Sequence, residues 1–83
     1  MERAQVKSSS LRSIGFDPNK EVLEVEFRSG GVYQYFGVPE ARFDQLMLAT
    51  SKGTFFNRYI EDHFPYRRIA DREQMTHDHG FEI

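Results

Sequence analysis

The chain has 83 residues with 8 Phe and 4 Tyr, no Trp and no Cys, and a formal net charge of −2. That length allows one domain with one small core and leaves little margin for a deep pocket. The missing cysteines exclude disulfides, thiolate nucleophiles and sulfur-ligated zinc, and a pI near 5.9 falls well below the value of about 9 usual for a strongly electrostatic nucleic-acid binder.

The opening MERAQVKSSSLRS has no apolar core of a secretory signal. No apolar run approaches the roughly 18–20 residues of a membrane span. A soluble, cytoplasmic protein with no membrane partner is therefore expected. Charge is unevenly spread: residues 71–83 carry a net −3, whereas 52–68 carry a net +2.

The first strand is expected over Leu11–Phe16, where Ile14 and Phe16 alternate with Ser13 and Gly15. Asp17-Pro18-Asn19-Lys20 is a turn, with Pro setting φ at its second position. Val22–Phe27 is the clearest strand, with Leu23, Val25 and Phe27 on one face and Glu24 and Glu26 on the other. Arg28-Ser29-Gly30-Gly31 supplies a hairpin turn, because two glycines reach positive φ without strain. Val32–Phe36 returns as the third strand.

Pro39 suits the first position of a helix, and Glu40 complements the helix dipole. Phe43, Leu46 and Met47 form its apolar stripe, and Gly53 marks its end. A second helix is expected from Thr54, a residue suited to an N-cap, to Pro65, which stops it. Its stripe is Phe56, Tyr59, Ile60, His63 and Phe64. The fold class is thus α+β: a three-stranded antiparallel meander followed by two short helices packed on one face of the sheet. Residues 1–70 make a single domain, and 71–83 form a polar, acidic, flexible tail.

The order of these residues resembles the KTSC domain family. The resemblance rests on Ser8-Ser9, Ile14-Gly15-Phe16-Asp17, Leu23-x-Val25-x-Phe27-x-x-Gly30, Tyr33-x-Tyr35, Val38-Pro39 and Ala49-x-Ser51-x-Gly53-x-x-Phe56-Asn57-x-x-Ile60. It runs from about Val6 to Ile69. The resemblance implies a small domain found at the C-terminus of some lysyl-tRNA synthetases and alone in small bacterial and phage proteins. That company suggests RNA binding. The residues themselves leave little room for a sizeable pocket, so neither enzymatic activity nor a cofactor is expected.

Tyr33 and Tyr35 carry the main question, since residues i and i+2 of a strand share a face. On an open sheet face, two such rings stack unpaired bases. Arg12, Arg28, Lys52, Arg58, Arg67 and Arg68 are then candidates to meet phosphates. In a small domain the same rings fill the core. Register decides: if Phe27 pairs with Val32, the tyrosines lie beside Glu24 and Glu26. If a bulge at Gly30-Gly31 shifts the pairing by one, they join Leu23, Val25 and Phe27.

Other signals are bland. Ser8-Ser9-Ser10 reads as the polar start of an edge strand. Ser51-Lys52-Gly53-Thr54 lacks the upstream glycine of a phosphate loop and reads as a corner between helices. Asn57 ties down nearby backbone, and His63 packs on the second helix. His77-Asp78-His79 offers fewer donors than a zinc centre needs, so no metal is expected. No catalytic constellation is visible. Two readings remain: an RNA-binding accessory module for tRNA-like or single-stranded RNA, and a protein-interaction or homodimerisation module using an exposed sheet edge.

Overall fold

The computed structural model describes residues 1–71. Seven elements follow in order: β1 (Ala4–Gln5), β2 (Leu11–Asp17), β3 (Val22–Phe27), β4 (Gly31–Phe36), α1 (Glu40–Leu48), α2 (Lys52–Tyr59) and β5 (Tyr66–Asp71). The strands form one antiparallel sheet in sequence order. The α+β class holds, but with five strands rather than three. The two additional strands flank the expected meander, one at each edge.

The core lies between the sheet and the helices. Leu11, Ile14, Leu23 and Val25 meet Leu46 of α1, Phe56 of α2, and Val38 and Ile60 from the flanking segments, all nearly solvent-free. Phe16 stacks on Phe43 with centroids 4.7 Å apart, seating α1 on β2. Phe27 and Tyr35 meet Phe56 edge-on at 5.4 and 5.1 Å, seating α2 on β3 and β4.

Hairpin geometry answers the register question. Gly30 has φ 117 and its N–H bonds the Phe27 carbonyl at 2.9 Å, so three residues, Arg28 to Gly30, make the turn. Pairing then runs Val25 to Tyr33 and Leu23 to Tyr35. This is the shifted register, with both tyrosines on the helix-bearing face.

The opposite face holds a second layer of order. Glu24, Glu26 and Ser13 are buried there rather than solvated. Arg3 reaches over from the N-terminal segment, donating to Ser13 Oγ at 2.9 Å and to the Glu24 carboxylate, with Glu26 at 3.9 Å. Ser13 donates to Glu26 and Gln34 donates to Glu24, each at 2.9 Å. Buried carboxylates need such partners, because an unpaired buried charge is costly.

Several boundaries differ from expectation. Pro39 is the N-cap of α1, with ψ 151, rather than its first helical residue. Ser51, not Thr54, caps α2: its side chain accepts from the Thr54 N–H at 3.3 Å, and Gly53 lies inside the helix. The second helix ends at Tyr59, well before Pro65. The apolar period continues past it because Ile60 and Phe64 also pack inward from the following turn. The chain after Pro65 is strand β5, and Asp71 is its last residue. The expected tail beyond it, with His77-Asp78-His79, lies outside the described residues. Among the described residues, no helix is long and apolar enough to cross a membrane.

Candidate functional site

β4 and β5 together build the chief aromatic feature. Tyr35 pairs with Tyr66, and Tyr33 pairs with Arg68. Side chains opposite each other on neighbouring antiparallel strands come within contact range. Tyr33, Tyr35 and Tyr66 therefore cluster, with centroid separations of 6.5 Å (Tyr33–Tyr35), 5.4 Å (Tyr35–Tyr66) and 5.8 Å (Tyr33–Tyr66). The interplanar angles of 29°, 30° and 48° leave a splayed fan rather than a closed stack.

Exposure grades across this fan. Tyr35 is 4% exposed, Tyr33 is half-buried and Tyr66 is 57% exposed. The first ring is core, while the other two open to solvent where α2 stops covering the sheet. Burial, together with Glu61, Tyr33, Tyr66 and Asp62 nearby, pushes the Tyr35 phenol up from 10.0 to about 12. It is a neutral hydroxyl at any physiological pH.

A cleft of about 270 Å³ lies against this fan, lined by Phe27, Ser29, Tyr33, Tyr35, Tyr66, Glu61 and Asp62. The two acids come from the turn after α2, held because the Phe56 carbonyl accepts from both Ile60 and Glu61 at 2.9 Å. The volume falls just under the roughly 300–1,000 Å³ of pockets for drug-sized ligands. One side chain fits it better than a cofactor does.

Of the residues singled out from sequence, the fold brings together Tyr33, Tyr35 and Arg68, whose guanidinium lies 5.9 Å from the Tyr33 centroid. Arg12 points to the other sheet face, 4.0 Å from Glu26. Arg67 also belongs to that face, registered against Gln34. Lys52 donates to the Ala49 carbonyl at 3.1 Å and so bridges the corner between the helices. Arg58 is exposed near the end of α2, where its carbonyl accepts from His63 Nε2 at 3.0 Å. His63 itself is exposed rather than packed, and Asn57 is exposed. Arg28 donates to the Ser8 carbonyl at 2.7 Å. Ser8 Oγ is occupied in accepting from the backbone of Ser10 and Leu11.

Tyr66, Glu61 and Asp62 were not legible as site residues. Tyr66 follows a proline that reads as a helix stop, and the acids read as the solvated side of a longer helix. Among the described residues, no group of three or more His, Asp or Glu could hold a metal ion.

Sheet topology, helical cover and a side-chain-sized cleft define a small antiparallel α+β domain with an aromatic margin. The chain belongs to the KTSC domain family, which matches residues 7–64. The crystal structure of a KTSC domain protein from Yersinia pestis is similar, with TM-score 0.81 and 46% identity over 83% of this chain and 97% of that one. An uncharacterized protein of Stutzerimonas stutzeri is 46% identical over 70 residues, covering 83% of this chain and 99% of its own length. A lysine–tRNA ligase of Nostoc sp. strain PCC 7120 is 33% identical over 64 residues, 77% of this chain but 11% of the ligase. The family thus occurs both in small proteins and as a minor part of lysine–tRNA ligases.

Proposed function

We propose that this domain is a non-catalytic binding module that takes a protein partner at the tyrosine cleft and the adjoining strand β5. The observation that carries this reading is the chemistry of the cleft. Its charged rim is Glu61 and Asp62, which share the lining with the rings of Tyr33, Tyr35 and Tyr66. Carboxylates there repel a phosphate backbone and favour positive or amphipathic groups. β5 lies at the sheet margin among the described residues, and sheet margins are frequent docking sites for peptides.

An RNA-binding accessory role is the second reading. It is favoured by Arg67 and Arg68 directly after Tyr66, and by the similarity to part of a lysine–tRNA ligase. Base stacking on Tyr66 and Tyr33 contributes about 1–3 kcal/mol per base where it occurs.

One experiment separates the two. Immobilised wild type and Tyr66→Ala are panned against a random peptide library, and both are titrated with single-stranded RNA at low and moderate salt. Tyr66 is largely exposed, so its loss leaves the fold intact. The protein-partner reading expects peptides enriched on wild type and lost on the variant. RNA affinity that falls steeply with salt and vanishes in the variant, without peptide enrichment, overturns it in favour of RNA.

A further inference from the structure

We infer that the tyrosine cleft recognises a lysine side chain of the partner, its ammonium held between the ring faces of Tyr33 and Tyr66 and the carboxylates of Glu61 and Asp62. This deepens the protein-partner reading and rests on it.

Four observations converge. First, the three tyrosine rings fan out with centroids within 6.5 Å of one another, so a cation in the cleft reaches more than one ring within the roughly 6 Å over which a ring face attracts it. Second, Glu61 and Asp62 line the same cleft, and Tyr35 lies within the electrostatic reach of both. Aromatic faces combined with carboxylates are the chemistry that selects a cation, since rings alone take apolar groups and carboxylates alone leave a charge solvated. Third, the cleft's 270 Å³ admits the end of one side chain and its aliphatic stem, and a lysine stem buries well along apolar rings. Fourth, this chain already places its own cations over tyrosine rings: Arg68 lies 5.9 Å from half-buried Tyr33, and Arg42 lies 5.3 Å from exposed Tyr59. Arg68 is not among the residues lining the cleft, so the cleft keeps ring surface for another cation.

A nucleotide does not satisfy this arrangement. Its base could lie on Tyr66, but its phosphates would approach Glu61 and Asp62. An uncharged aliphatic side chain fits the rings but gains no attraction from the two exposed carboxylates.

The probe is Nα-acetyl-lysine amide, with Nα-acetyl-norleucine amide as its uncharged counterpart and inorganic phosphate as the anion control. Binding is read from the NMR shifts of the Tyr33 and Tyr66 ring protons. The expected result is a saturable shift with the lysine compound alone. Tyr66→Ala weakens it by roughly two- to thirtyfold, the span of one cation–π contact. Glu61→Gln with Asp62→Asn weakens it by up to roughly tenfold. Both acids are exposed in a turn, so the amide variants retain the fold. Arg68→Ala leaves lysine affinity unchanged or higher, whereas an RNA site would lose affinity.

Equal binding of norleucine, or lysine binding indifferent to both acids, overturns the inference. Library peptides that bind the cleft without any basic residue overturn it while sparing the protein-partner reading. RNA binding with neither lysine nor peptide binding overturns both.

Discussion

Tyr35 shows how position in the fan sets the chemistry of a ring. Desolvation and the surrounding Glu61, Tyr33, Tyr66 and Asp62 raise its phenol to about 12. The folded protein then holds that proton in a range where the unfolded chain releases it. The linked stability is complete below pH 10 and is lost as pH rises from 10 to 12. An alkaline titration followed at 295 nm should resolve one phenol ionising near 12, with denaturant midpoints falling over the same range. Gly15 makes a different residue-scale argument. A Cβ there would lie 2.5 Å from the Glu2 carbonyl oxygen and 3.0 Å from Arg3 Cγ. The first neighbour is backbone and cannot swing away, so Gly15→Ala must displace the N-terminal segment that carries Arg3. We expect a loss of about 1–3 kcal/mol in chemical denaturation. Arg3→Ala, which leaves Glu24 and Glu26 without that cation, should cost about 2 kcal/mol alone. It should cost less in the Gly15→Ala background, since both changes undo one clasp.

Elements became legible from sequence in proportion to how locally they are specified. β3 reads directly, because Leu23, Val25 and Phe27 alternate with Glu24 and Glu26. What alternation cannot tell is that both glutamates are buried. That depends on Arg3, twenty-one residues away in sequence from Glu24. The face of β4 hung on one hairpin residue, Gly30, whose positive φ adds the step that turns Tyr33 and Tyr35 toward the helices. β5 was hidden by a bulge. Pairing moves from Tyr33–Arg68 to Val32–Ala70, leaving Ile69 as an extra residue and breaking the period of two. β1 has only two residues, too short for any pattern. The candidate site followed the same rule: Tyr33 and Tyr35 were visible as a pair, whereas Tyr66, Glu61 and Asp62 join them only through the β4–β5 pairing and the turn after α2. The start of α2 was misplaced at Thr54 because Ser51, three residues earlier, has the same capping chemistry. The geometry separates them, since Ser51 Oγ accepts the Thr54 N–H while donating to Thr54 Oγ1 at 2.9 Å. Ser51→Ala should therefore cost about 1 kcal/mol, and Thr54→Ala clearly less, in paired denaturant melts.

At the scale of the molecule the open matter is whether β5 belongs to the cooperative fold or is an addition to it. The family match ends at residue 64, short of β5, so that match alone would place the strand outside, although the resemblance read from sequence runs on to Ile69. The structure argues otherwise. β5 pairs along β4 from Gly31 to Tyr35, its Tyr66 ring lies 5.4 Å from Tyr35, and the Pro65 carbonyl accepts from the Phe36 N–H at 2.9 Å. Without β5, β4 becomes the sheet margin, Tyr35 loses the ring that shields it, and Tyr33 loses both Tyr66 and Arg68. A chain ending at Asp71 and one ending at Pro65 isolate this effect, because they differ by β5 alone. If the strand is integral, the shorter chain loses at least about 2 kcal/mol. For a domain of this size that loss lowers Tm by roughly 8–16 °C. Its Tyr35 phenol should also titrate lower, toward 10, as water reaches it. Equal melting and an unchanged alkaline titration in the two chains would make β5 an appendage. The cleft would then be a feature added to the family's domain rather than part of its core.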